Sequence, residues 1–162
     1  MNILVKIIKG LILCYLLVSN GTIIGQTTRV TTFSDLMTSL NSGERVRVVI
    51  HYSQCKWEQE QNESNPIPDA IAGMDVDMYE YFAPGAAHNK VAFVVFANSK
   101  LIQNPFGKGF VYNYGKVRIN NDNTVVVTAK YIQAKRFKVL MNESFRCLIN
   151  DGKNNEGINL FK

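Results

Sequence analysis

GFVYNYGKVRINNDNTVVVTAKYIQ, residues 109–133, is two runs rich in valine and aromatic residues on either side of four polar ones, Asn120 to Asn123. β-Branched and aromatic side chains suit a pleated, half-buried surface, and Asn and Asp tolerate the backbone of a tight turn. The pattern predicts two antiparallel strands, Gly109–Ile119 and Thr124–Gln133, joined as a hairpin.

The same period of two continues in both directions. Upstream, Val91–Ala97 (VAFVVFA) is apolar on both faces, which marks a central strand covered on each side. Asp75–Phe82 alternates as well, with Met74, Val76, Met78 and Phe82 toward the core and Glu80 interrupting. Arg45–Tyr52 sets Val46, Val48, Ile50 and Tyr52 against Arg45, Arg47, Val49 and His51. Downstream, Phe137–Leu148 and Ile158–Phe161 complete the set, with Asn150-Asp151-Gly152 as the last turn. Only Phe33–Leu40 keeps a helical period. Thr32 and Asp35 form its capping box, and Gly43 stops it.

Lys56–Pro68 (KWEQEQNESNPIP) is polar, unpatterned and ends in two prolines, and so reads as an exposed loop. One helix and a succession of strands leave no room for crossover helices, so the connections must be antiparallel. The expected fold is α+β, mainly antiparallel: a single domain over residues 26–162, with one N-terminal helix packed on a curved, barrel-like meander.

The first 25 residues do not belong to that domain. Lys6 and Lys9 precede the continuously apolar Leu11–Val18, and small polar residues follow. This order predicts a secretory signal peptide, cleaved after Gly21 or Gly25. The apolar run is shorter than the roughly 20 residues a bilayer requires, and nothing later is long and apolar enough to anchor the chain. Without Lys6 and Lys9 the net charge of +5 falls to +3, too little to predict nucleic-acid binding by itself. The expected location is extracellular, or periplasmic in a Gram-negative cell. Cys55 and Cys147 then remain as an even pair in an oxidising compartment and are expected to form a disulfide. Of three N-x-S/T sequons, Asn62 and Asn142 fall in the mature chain as candidate glycosylation acceptors.

The order FSDLMTSLNSGERVRVVIHYSQC, then YEYFAPG, then NESFRC and a terminal GINLF, resembles the VirK family of small exported proteins. The likeness spans most of residues 32–161. The resemblance implies export and carries over no catalytic residue.

Chemistry-bearing motifs are sparse. His51 and His88 are the only bases near neutral pH in the mature chain, and G-x-S-x-G, H-E-x-x-H and C-x-x-C are all missing. Asp151–Gly157 (DGKNNEG) has calcium-type residues, but Lys153 and Glu156 break the EF-hand pattern. Asp75 and Asp77, two apart on an expected strand, would point the same way about 7 Å apart. With Glu80 they are candidates for a carboxylate-dependent hydrolase. An ordinary half-exposed strand looks the same, and no third ligand accompanies them. Lys108–Arg118 interleaves aromatics with cations, yet it departs from the RNP1 pattern and lacks the surrounding βαββαβ frame.

Asp75, Asp77, Tyr79, Tyr81, Tyr112 and Tyr114 make up a candidate ligand face. The sequence therefore predicts an exported, non-catalytic binding protein needing no metal or cofactor. Its partner would be an extracellular protein, a carbohydrate or a small ligand, not nucleic acid. The alternatives are the Asp75/Asp77/Glu80 hydrolase and a barrel-type carrier of an apolar ligand.

Overall fold

A computed structural model describes residues 27–58 and 66–162. The expected signal peptide, Asn62 and the middle of the polar loop lie outside the described residues.

The strands form two open antiparallel sheets, with no closed barrel among the described residues. The smaller has the order β1 (Arg29–Val30), β10 (Ile158–Phe161), β2 (Val46–His51), β4 (Ile71–Val76). The larger has the order β3 (Lys56–Trp57), β9 (Val139–Leu148), β8 (Thr124–Gln133), β7 (Phe110–Asn120), β6 (Phe93–Gln103), β5 (Tyr79–Phe82). The expected meander is therefore real from β5 to β9, but it is one layer of two.

Two breaks in the chain explain the correction. The first is Asp77-Met78. Asp75–Phe82 is not one strand: β4 pairs with β2 in the smaller sheet, whereas β5 pairs with β6 in the larger. Asp77 Oδ1 accepts the Met78 N–H at 2.9 Å, a local bond that competes with any ladder. Met78, expected in the core, is 80% exposed on this crossover.

The second break lies in Tyr52–Gln54, a single 3-10 turn that carries the chain out of β2. Cys55 follows and is bonded to Cys147 on β9. The residues just beyond then add to the edge of β9, with Lys56 opposite Arg146 and Trp57 opposite Phe145. The polar loop thus begins two residues later than its composition implied.

The helix α1 (Phe33–Asn41) follows its sequence signals. The Thr32 hydroxyl accepts the Asp35 N–H at 3.1 Å, and Gly43 takes φ +78° just past the end, a left-handed conformation that suits glycine. Its N-terminus is tied to the β7–β8 turn, where the Phe33 N–H donates to Asn123 Oδ1 at 2.7 Å. Near its other end the Tyr79 hydroxyl donates to the Leu40 carbonyl at 3.4 Å. Phe33, Leu36 and Leu40 join one core with Val46, Val48 and Ile50 of the smaller sheet and Phe96, Val117, Val127 and Phe145 of the larger.

Candidate functional site

The cross-strand register of the larger sheet shows where this core stops. Phe96, Val117, Val127 and Phe145 lie in one row across β6 to β9, and all four are buried. Two residues along, the next inward-facing row is Asn98, Gly115, Ala129 and Glu143. Gly115 and Ala129 are too small to reach the opposing sheet, so the space between the layers stays partly empty. Met74 from β4 reaches in, its Cε 3.0 Å from where a Gly115 Cβ would stand. Beyond it opens a cavity of about 720 Å3.

One wall is β4, from Ile71 to Met74. The other is the inward face of β6 to β9, with Phe106 and the Pro66–Pro68 segment at the rim. Its floor is aromatic. Phe145 stacks on Trp57 at 4.6 Å between ring centroids and meets Tyr52 at 4.8 Å, tilted by 60°. Tyr131 stands two residues from Ala129 and meets Phe106 edge-on at 5.5 Å.

The disulfide belongs to this construction. Cys55 lies between Tyr52 and Trp57, and Cys147 lies two residues beyond Phe145, so one bond fixes all three floor rings. Gly157 seals the far side. A Cβ there would stand 2.6 Å from Cys55 Sγ and 2.7 Å from the His51 carbonyl oxygen, so no larger residue fits without movement.

Polar groups in the lining include Asn98, Asn113 and the acid Glu143. Burial holds its carboxyl above the ordinary glutamate range. It enters no ion pair among the described residues. Burial also raises the Tyr52 phenol, with smaller contributions from Tyr131 and Glu143. The site thus combines apolar volume, aromatic faces and one acid that enters no ion pair among the described residues, with Lys100 also in the lining.

The residues singled out from sequence lie elsewhere, apart from Tyr114, which meets the cavity between the inward-facing Asn113 and Gly115 although its position in the strand is an outward one. The expected acidic pair is dispersed. Asp75 on β4 accepts from Arg47 at 3.0 Å in an exposed ion pair, Asp77 closes the crossover turn, and Glu80 is exposed on β5 in the other sheet. The expected ligand face is not one surface either. Tyr79 and Tyr81 are in register with Phe96 and Val94 and share their side of the larger sheet. Tyr112 and Tyr114 alternate with the inward Val111 and Val117 and so belong to its outer side, where Tyr112 stacks on Phe137. His51 is half-buried at the end of β2, and His88 holds a turn at φ +58°. No group of three or more His, Cys, Asp or Glu that could hold a metal ion occurs among the described residues.

Sequence reading overlooked Tyr52, Trp57, Tyr131, Glu143 and Phe145 as one site. The available signal was Gly115, a glycine inside a strand, which marks a place where something else approaches the backbone.

Among the described residues, a two-sheet antiparallel β structure with one α-helix, a disulfide between the strand systems and an inter-sheet cavity is the class that fold and site define. The chain belongs to the VirK family: the family's sequence profile, described as VirK protein, matches residues 29–137. Its fold is similar to the crystal structure of a VirK family protein from Legionella pneumophila. The TM-score is 0.62 at 16% sequence identity, over 83% of this chain and 98% of that one. At that identity the likeness concerns fold alone. Comparison with curated proteins gives no match.

Proposed function

We propose that this chain is an exported binding protein that holds a small ligand between its two sheets. The ligand has an apolar body and an amine or other hydrogen-bond-donating head that meets Glu143. The observation that carries this reading is the cavity itself. Its volume is in the range of small-molecule sites, and such sites are mainly apolar and aromatic with few polar groups. An acid that enters no ion pair among the described residues gains most from a ligand that supplies a donor or a positive charge, and aromatic faces add to the attraction for a cation. The disulfide supports export, because such bonds persist in oxidising compartments. The exposed Asn142 would accept a glycan if the chain passes through a eukaryotic secretory route. A hydrolase built on Asp75, Asp77 and Glu80 is disfavoured by their separation into different elements.

Trp57, the single tryptophan, lines the cavity and reports its occupancy. Titration with n-decylamine below its micelle concentration is expected to shift Trp57 emission and raise the melting temperature, with n-decanoate markedly weaker. Ala129→Leu, which fills the cavity from the wall formed by β6 to β9, should abolish both effects. If neither amphiphile perturbs Trp57, or if Ala129→Leu leaves binding unchanged, the cavity is not the binding site.

A further inference from the structure

The strands β6, β7, β8 and β9 run up and down in order. The first and third of their three connections, 104–109 and 134–138, therefore emerge at the same end of the larger sheet. They lie side by side: the Ala134 N–H donates to the Phe110 carbonyl at 3.2 Å, and Tyr112 stacks on Phe137 with centroids 6.3 Å apart. This end is apolar at its apex. Phe106 is 68% exposed, Phe110 60% and Phe137 70%, with Leu101, Val139 and Leu140 also exposed beside them. Around them stand the exposed cations Lys100, Lys108, Lys135, Arg136 and Lys138. No carboxylate occurs anywhere in residues 97–121 or 123–142, although the chain holds 13 Asp and Glu.

Isolated exposed apolar residues are ordinary, but large rings gathered on two adjacent tips are not. An exposed ring gains free energy only when something removes it from water. A cationic rim with no acid requires that this partner be negatively charged. Rings on protruding tips, flanked by lysine and arginine stems that can lie along an interface while their charges stay wet, match the boundary layer of an anionic bilayer.

We infer that the paired β6–β7 and β8–β9 tips dock this protein onto an anionic phospholipid surface. Phe110 and Phe137 enter the headgroup boundary, and Lys108, Lys135, Arg136 and Lys138 pair with lipid phosphates. The attachment is peripheral. It does not depend on what the cavity holds, although Lys100 and Phe106 belong to both regions, so a membrane-bound chain would present its cavity rim close to the lipid.

The test is co-sedimentation of the disulfide-bonded protein with vesicles of phosphatidylcholine alone or with about 30% phosphatidylglycerol. Binding is expected only to the anionic vesicles and should weaken at least tenfold in 0.5 M salt, where charges are screened over a few ångströms. The triple variant Lys108→Gln/Lys135→Gln/Arg136→Gln should lose about 100-fold, at roughly fivefold per cation near an anionic surface. Phe110→Ser/Phe137→Asn should lose at least tenfold while keeping the wild-type melting temperature, since both rings are exposed and asparagine suits the φ of +53° at Phe137. Phe137→Trp should shift its emission to the blue only with anionic vesicles. Equal binding to neutral vesicles, no binding at all, or wild-type binding by the phenylalanine variant would overturn the proposal. A concentration-dependent dimer that the phenylalanine variant abolishes would assign the tips to self-association. Tighter binding to duplex DNA than to vesicles, unchanged by the phenylalanine variant, would assign them to nucleic acid. Either result would also overturn it.

Discussion

Cys55→Ser/Cys147→Ala removes the bond that closes the chain over a separation of 92 residues. In the chain-entropy account, a cross-link of that span restricts the denatured chain by about 16 cal/mol/K, or about 4.6 kcal/mol at 25 °C. Both cysteines are also buried, at 6% and 3% exposure, so truncation leaves a small void against Gly157 and adds to the loss. The total is of the same order as the whole stability of a small domain. With a urea slope of about 2 kcal/mol/M, the unfolding midpoint should fall by roughly 2 M, and the melting temperature by 10 °C or more. The slope itself should rise, because the released denatured chain exposes more surface. The site should respond before the fold does. Tyr52, Trp57 and Phe145 are held together by this bond, so the native-state emission of Trp57 should move to the red in the variant. Urea titration followed separately by circular dichroism and by Trp57 fluorescence measures both effects. A midpoint within about 0.3 M of wild type, or unchanged native emission, would refute the claim that the disulfide organises the cavity floor.

Three further outcomes follow from particular contacts. Gly157→Ala should cost about 1–3 kcal/mol in chemical denaturation, because a Cβ must displace Cys55 Sγ or the His51 carbonyl; a neutral effect would mean that the last turn moves freely. Glu143 binds its proton more tightly in the folded protein than in the unfolded chain. Its contribution to stability is therefore greatest below the unfolded value near 4.5 and declines as pH rises through the raised folded value, so Glu143→Gln should raise the melting temperature at pH 7 relative to wild type but not at pH 4. Equal shifts at both pH values would disprove the assignment. Asp75→Asn should change stability by less than about 1 kcal/mol and leave amphiphile binding intact, since its pair with Arg47 is solvent-exposed; loss of binding in a fluorescence titration would return Asp75 to the site.

The element types were readable because their signals are local. Thr32 and Asp35 cap α1, Asn120–Asn123 turns β7 into β8, and the strand periods of β2 and β7 through β9 come from residues that are neighbours in the chain. The Cys55–Cys147 bond was also legible, since two cysteines left after the expected signal peptide allow one pairing. The change of sheet at Asp77-Met78 was not. Alternation continues through it, and a period of two is the same whether a strand belongs to one sheet or passes between two. The barrel expectation failed for that reason.

The same logic separates the candidate sites. Sequence alone determined the family, the antiparallel strand content, the helix α1 and the cysteine pair, all of which rest on order and spacing along the chain. It pointed to Asp75 and Asp77 because they are close in sequence. Tertiary structure alone assembled Tyr52, Trp57, Tyr131, Glu143 and Phe145 around a gap, since these residues come from three separate segments. What makes the gap is the register that sets Gly115 beside Ala129. Which residues stand side by side across strands depends on pairing, and pairing is a property of the folded sheet rather than of any one strand.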